Sequence, residues 1–398
     1  MNRKNRAYLV NAAKKYRSCL TENILPFWME HGVDYENGGI YTCLDRDGSV
    51  MDTTKSVWFQ GRWAYIAAHA YNVVEKNQEW LDASLNALIF IQNNCIDTDN
   101  HMFFTVTADG QPVQKRRYVF SECFAAMAMA EYAKATGSEE WAQKALDMYL
   151  NIKRLLTTEG LLQPKTTVKG YSHSITMMLI NVVGVIRQVI DHPALEVQVW
   201  ESVDIIENKL MHPEFEALLE SCGEDGELID TIAGRVINPG HCIETSWFLL
   251  REAERRGWDP RLTRLGVQIF DWSWKWGWDD EFGGIINFKD CKNFPAQDYS
   301  QDMKFWWPQC EAIIATLMCY RATHDEKYLD LYRKIDRYAF KVLPDREYPE
   351  WYGYLHRDGT VAQPAKGNIF KGPFHIPRML IEAEIFAKDI LFNEKNNK

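Results

Sequence analysis

Apolar residues recur at i, i+3, i+4 and i+7 through twelve stretches of the chain, approximately 4–24, 56–76, 79–95, 118–136, 139–157, 172–190, 194–211, 240–256, 260–277, 304–322, 325–342 and 373–393. That period predicts helices that each hide one face. Two kinds of gap separate them. A turn of a few residues (Lys76 to Glu79, Gly137 to Glu139, Gly257 to Pro260, His324 to Asp325) alternates with a gap of roughly 15 to 30 residues. The long gaps carry strand and turn chemistry: residues 38–52, 101–113, 222–240, 283–288 and 351–361 contain aromatic or β-branched runs, four of them beside an Asp-Gly pair that favours a tight hairpin. LDRDGSV at 44–50 and LHRDGTV at 355–361 read as an internal repeat near opposite ends of the chain. Helices in hairpin-linked pairs with matching ends predict an all-α, closed (α/α)6 barrel with short β-hairpins in its connecting loops. An open solenoid would need polar capping repeats, which the sequence does not offer. No Gly/Ser-rich or Pro-rich linker interrupts the pattern, so residues 1–398 are expected to form a single domain.

Composition narrows the function. With 46% hydrophobic and 25% charged residues over 398 positions, the chain is expected to fold. Forty-five basic against 55 acidic residues leave a formal charge of -10, and no basic block is present to neutralise a phosphate backbone. Nucleic acid is therefore not an expected partner. The longest apolar run, Ile175 to Ile186, is broken by Thr176 and Asn181 and falls short of the roughly 20 residues of a spanning helix, so no membrane partner is expected either. The charged N-terminal stretch lacks an apolar secretory core, which makes the cytoplasm the expected location. Nine scattered cysteines, an odd number without metal spacing, read as reduced buried thiols, and no metal is expected. Neither G-x-G-x-x-G nor G-x-x-x-x-G-K-[ST] occurs.

In such a barrel the helices that follow the long loops start at one mouth, and their starts are rich in ionisable and aromatic residues. Arg62 sits in SVWFQGRWAY, Tyr118 and Glu122 in RRYVFSE, His173 in GYSHSITMM, His241 and Glu244 in NPGHCIETSW, Trp307 and Glu311 in KFWWPQCEA, and His375 and Arg378 in GPFHIPRM. If Asn238 caps a helix and Pro239 takes its first position, His241 lies in the first turn with Glu244 on the same face. Pro377 would delay the start of the helix that carries His375. A helix N-terminus disfavours imidazolium, so both histidines are expected to be neutral and able to take a proton. Blander readings stand beside these. A histidine at a helix start often only caps, Arg62 could pair with Glu122 or Glu311, and Trp58, Trp63 and Trp247 read as packing. The seven other histidines are assigned no role.

Four segments in order, QGRWAY, NPGHCIETSW, KFWWPQCEA and GPFHIPRM, resemble the signature segments of the N-acylglucosamine 2-epimerase family, which also contains cellobiose 2-epimerases and aldose-ketose isomerases. The resemblance implies an (α/α)6 barrel and a pocket for a free reducing sugar. Carried over by motif, Arg62, His241, Glu311 and His375 would be the catalytic set, with Glu244, Tyr118, Trp307 and Arg378 lining it. Glu122 and His173 join the expected sugar-binding residues, as does Trp351, which with Trp307 would offer a stacking platform. SHSITMMLIN at 172–181 resembles the Met-Met-Leu segment of acylglucosamine epimerases, although His173 departs from the small or apolar residue expected there.

The implied reaction interconverts N-acyl-D-glucosamine and N-acyl-D-mannosamine. One of the two histidines removes the carbon 2 proton and the other returns one to the opposite face, through an enediolate stabilised by Arg62, while Glu311 orients Arg62 or a histidine. No cofactor is required. Some acylglucosamine epimerases respond to ATP, so ATP is a possible activator here, and a homodimer is the expected assembly. The sequence leaves open an aldose-ketose isomerase or a cellobiose or mannose 2-epimerase on the same scaffold, and a non-catalytic sugar-binding barrel. A glycoside hydrolase would want two carboxylates across the bond, which the paired histidines do not supply.

Overall fold

The computed structural model describes residues 1–162 and 168–396. The predicted helix at 4–24 is longer and bent: α1 (Arg3–Cys19) passes through a π turn at Leu20–Ile24 into α2 (Leu25–His31). Pro26 lies at the start of α2 and has no N–H to continue the regular ladder, which accounts for the break. The others follow the predicted period: α3 (Val57–Val73), α4 (Gln78–Asn94), α5 (Phe120–Thr136), α6 (Glu139–Thr157), α7 (His173–Ile186), α8 (Pro193–Ile205), α9 (Pro239–Arg255), α10 (Pro260–Gly277), α11 (Trp306–Thr323), α12 (Lys327–Val342) and α13 (His375–Asn396). Local chemistry sets their ends. Asn77, Ser138, Asn238 and Asp259 each accept a first-turn N–H, and Gly137 closes α5 in the left-handed region.

The helices form two rings. α3 packs on α5, α5 on α7, α7 on α9, α9 on α11, α11 on α13, and α13 returns to α3, while α4, α6, α8, α10 and α12 each cover the inner helix before them. The remaining outer place is taken by α1, which packs on α13 and so joins the two ends of the chain. This is an (α/α)6 barrel. Burial separates the rings. In α5 every residue from Ser121 to Ala133 is buried, as a helix enclosed on all sides requires, whereas α6 buries the single stripe Ala142, Ala145, Leu146, Tyr149, Ile152 and Leu155. One continuous apolar cluster takes in residues from every helix. All nine cysteines are free thiols, and among the described residues no helix is long and apolar enough to cross a membrane.

The loops at the mouth are tied by short strands. Hairpins form at 43–44/50–52, 103–106/112–115 and 354–355/361–363, each turning on a glycine with φ near +90° (Gly48, Gly110, Gly359), a conformation that a side chain would strain. The LDRDGSV and LHRDGTV repeat is thus two copies of one turn. Segments 222–240 and 283–288 do not fold back on themselves as predicted. Strand 221–222 pairs with 171–172 and 236–237 pairs with 289–290, because loops around the closed mouth find partners in their neighbours. Buried lysines pin two loops to the barrel: Lys55 Nζ lies 2.7 Å from Asp34 and also meets the Gly38 and Ala108 carbonyls, and Lys304 Nζ lies 2.9 Å from Asp279 beside the Gly283 carbonyl. Both ammonium groups are fully buried.

Asp34→Asn keeps the loop's hydrogen-bond geometry but leaves the Lys55 charge buried without a counter-charge. A loss of about 3 kcal/mol in chemical unfolding is expected. A change below about 0.5 kcal/mol would show that the loop does not depend on the pair.

Candidate active site

A cavity of about 390 Å³, the size of a small-ligand pocket, opens where the inner helices begin. Arg62 reaches it from α3, His241 and Glu244 from α9, Trp307 from α11, and His375 and Arg378 from α13, all within the first two turns of their helices. Local sequence explains the aim of His241: Asn238 Oδ1 accepts the His241 N–H at 3.1 Å and Pro239 occupies the first turn, as predicted. α13 starts at His375 itself. Pro377 falls inside its first turn, where no N–H is needed, and causes no delay. Trp307 stands between the two histidines, its ring centre 5.3 Å from that of His241 and 5.7 Å from that of His375. It lies against Gly240, where a Cβ would come within 2.4 Å of the indole.

Each histidine is held at Nδ1 by a carboxylate. His375 Nδ1 lies 2.7 Å from Glu311 Oε1, and the same carboxylate accepts from Arg378 at 2.7 Å and from Trp247 Nε1 at 2.8 Å. Arg378 also donates to Glu244. The charge of Glu311 is therefore answered by arginine. Burial, with Arg378 close by, holds the His375 imidazole well below its ordinary pKa, so the ring is neutral.

His241 is set the other way. Its Nδ1 lies 3.0 and 3.1 Å from the two oxygens of Glu220, and Glu220 forms no ion pair with a lysine or arginine among the described residues. Burial disfavours the imidazolium, but the Glu220 carboxylate outweighs it, and the pKa of His241 is raised. The expectation that both histidines are neutral is corrected here. A full charge at 3 Å exceeds the roughly half charge of a helix terminus.

Arg62 pairs with neither Glu122 nor Glu311. No ion pair or hydrogen bond among the described residues includes it, and its Nε is buried without a partner. Its guanidinium instead lies among the rings of Phe124 (4.1 Å), Phe374 (4.8 Å), Trp58 (5.0 Å) and Phe59 (5.0 Å). Burial pushes its pKa down to about 9, so it stays cationic at neutral pH. An arginine with spare donors in an aromatic wall is suited to receive an oxyanion.

Of the other expected sugar contacts, Tyr118 lines the cavity and stacks on Trp58, and Glu244, Trp307 and Arg378 line it too. Three do not. Glu122 is fully buried, accepting from His101 and from the Met102 N–H, the same loop-anchoring place that Gln60 and Gln309 take at Ile40 and Ile285. His173 is fully buried behind His241, between Glu220 and Thr245. Trp351 is 1% exposed and packs on Phe340 of α12, because its bridge to Pro344 turns it outward, and Tyr354 of the same segment lines the cavity instead. Sequence reasoning missed Glu220, which stands in a loop without a motif, and read Trp58 as packing although it forms a wall. His173, Glu220 and His241, and likewise Glu244, Glu311 and His375, bring donor atoms within 4.8 Å of one another and could hold a cation. In both sets each histidine Nδ1 meets a carboxylate at hydrogen-bonding distance.

Known proteins match this chain along most of its length. The profile of the N-acylglucosamine 2-epimerase (GlcNAc 2-epimerase) family matches residues 39–371. The N-acylglucosamine 2-epimerase of Rattus norvegicus is 36% identical over 375 residues, 91% of this chain and 89% of that protein. The cellobiose 2-epimerase of Eubacterium cellulosolvens is 26% identical, over 91% of this chain and 96% of its own. The solved structure of cellobiose 2-epimerase from Bacillus thermoamylovorans B4167 superposes with a TM-score of 0.83 at 21% identity, covering 94% of this chain and 98% of that one.

Imidazole NMR against pH reads the two environments separately. His375 is expected to stay neutral to well below pH 6.5 and His241 to stay protonated above it, from the opposite directions of their shifts. Two similar midpoints near 6.5 would contradict the assignment.

Proposed function

The chain belongs to the N-acylglucosamine 2-epimerase family and is an isomerase, and from that membership we propose that it interconverts N-acyl-D-glucosamine and N-acyl-D-mannosamine at carbon 2. One observation supports the reading above the rest: two histidines on different inner helices, each held at Nδ1 by a carboxylate, face one cavity, and their surroundings shift their pKa values in opposite directions. Inverting a carbon next to a carbonyl calls for that pair, a base on one side and an acid on the other.

In the open-chain sugar the C2–H bond breaks toward neutral His375, whose free Nε2 takes the proton. The bonding electrons move into the aldehyde and leave a negative oxygen, which Arg62 receives through its unpaired donors. His241, carrying a proton, delivers it to the other face of carbon 2, and the aldehyde reforms with no net change in atoms or electrons. His375 ends protonated and His241 neutral, and exchange with water resets the pair. The reverse reaction uses the same groups with their roles exchanged. Trp307, between the rings, gives the sugar a flat surface to lie on. No cofactor takes part in these steps, and ATP would act as an activator rather than a reactant. With this reading go a cytoplasmic location and a homodimer. A hydrolase would need two independent carboxylates, whereas Glu244 and Glu311 share the single guanidinium of Arg378.

The substrate is tested by incubating the protein with N-acetylglucosamine, N-acetylmannosamine, mannose and cellobiose, with and without ATP, and following proton NMR. Interconversion of the first two is expected to be the fastest reaction. A ketose product would move the protein to the isomerase reading, and faster turnover of cellobiose would move it to the disaccharide epimerases.

His241→Asn and His375→Asn are each expected to lower turnover at least 10³-fold, and full retention in either would remove the two-base mechanism. Arg62→Lys keeps the charge but loses the planar fork, so kcat should fall about 100-fold with KM within about 3-fold. Unchanged kcat would leave Arg62 a packing residue.

A further inference from the structure

Glu220 lines the cavity beside His241 and His173 lies behind it, and the mechanism above gives neither a step of its own. Glu220 is pinned at both backbone groups: its N–H donates to the Val236 carbonyl at 3.0 Å, and its carbonyl accepts the His173 N–H at 3.0 Å. Its side chain has one outlet, the gap between two imidazoles. Oε1 lies 3.0 Å from His241 Nδ1 and 3.1 Å from His173 Nδ1. His173 is itself immobilised. Its ring is fully buried, its Nε2 lies 2.7 Å from Thr245 Oγ1, and it stands edge-on to His241 with ring centres 6.1 Å apart. The 171–172/221–222 strand pair brings the two residues side by side.

We propose that Glu220, clamped by His173, is a positioning residue of the reaction: it holds His241 with Nδ1–H directed at the carboxylate and Nε2 left for the sugar, and it fixes His241 as the histidine that carries the extra proton in the resting enzyme. The inference rests on the two-histidine reading and extends it to the group that decides where the shared proton sits. The two His–Glu pairs differ in a way that geometry explains. Glu311 is bonded to Arg378 and Trp247 besides His375, so its charge is already compensated. Glu220 meets two imidazoles and, among the described residues, no lysine or arginine. The other ionisable groups around His241 are Glu244 and Glu311, which favour its charge, and His173 and His375, with Arg62 and Arg378 across the cavity. A proton shared between His241 and His375 therefore goes to the side whose carboxylate is uncompensated. Burial around Glu220 holds its carboxyl toward the neutral form, but the two imidazoles overcome this, and it lies well below the ordinary carboxylate range.

The test uses Glu220→Gln and His173→Asn in the full chain. Without substrate, ¹⁵N-histidine NMR of the wild type should show His241 still protonated on both nitrogens above the ordinary imidazole midpoint of about 6.5. In Glu220→Gln its midpoint should fall by at least one pH unit, with the far-UV circular dichroism unchanged. In kinetics, the alkaline limb of kcat/KM should move down by a similar amount in both directions of reaction, because both use the singly protonated pair. In His173→Asn the carboxylate stays but loses its clamp, so kcat should fall about 10-fold with that limb within about half a unit. A folded Glu220→Gln whose His241 midpoint and alkaline limb both stay in place would overturn the proposal, even if its kcat were lower. Should that variant not fold, a wild-type His241 midpoint at or below about 6.5, or a neutral His241 protonated on Nε2 alone, would overturn it equally. The NMR arm needs no sugar, so a His241 shift without turnover of any sugar would stand against the assigned reaction and support the role of Glu220.

Discussion

Charge at the mouth of this barrel is matched group by group, and the rest of the site depends on how the matching is done. Glu220 and Glu244 line a cavity with aromatic walls together with His241, Arg378 and Arg62, and Glu311 lies fully buried beside it against His375 and Arg378. Two of the carboxylates share Arg378, one is left to a pair of imidazoles, and Arg62 is left to the rings. From this uneven division follow a histidine on α13 held toward its neutral form, one on α9 drawn toward its charged form, and an arginine with donors to spare. None of these states belongs to its residue type. Each comes from the partner that the fold supplies.

The barrel supplies partners by bringing six helix starts to one place. Its closure through α1 and α13 joins the ends of the chain, so α13 lies beside both α11 and α3 and can set His375 on Glu311 while Arg62 stands nearby. The loop anchors serve the same end. Lys55, Lys304, Gln60, Gln309 and Glu122 spend buried polar groups on holding loops against inner helices, and the loop held by Glu122 leads on to Tyr118 in the cavity wall.

Much of this was legible in the sequence, and the boundary has a physical cause. Helical period, tight turns and capping residues are local, so the helices, the ring order and the aim of His241 could be read from spacing. Arg62, Glu311, His375 and Arg378 were found because they begin helices that the pattern already placed. What escaped depends on contacts between distant segments. Glu220 is brought to His241 by strands that pair across loops, and the proton preference of His241 depends on that contact. Glu122 and His173 begin inner helices just as the cavity residues do, yet a fraction of a turn directs them to a loop and to the layer behind. Trp351 looked like a platform by composition, and a single bridge to Pro344 buries it on the outer ring instead.

The central claim is that two different histidines handle the proton at carbon 2, one on each side of the sugar. A single turnover of N-acetylglucosamine in D2O, quenched before product returns, tests it most directly through the isotope at carbon 2 of the N-acetylmannosamine formed. If His375 removes the hydrogen and His241 returns one it has exchanged with solvent, the first product should carry deuterium at carbon 2, ahead of any deuterium in remaining substrate. Substantial protium at that carbon after one turnover would mean that one group carries the original hydrogen across both faces, and would contradict the account.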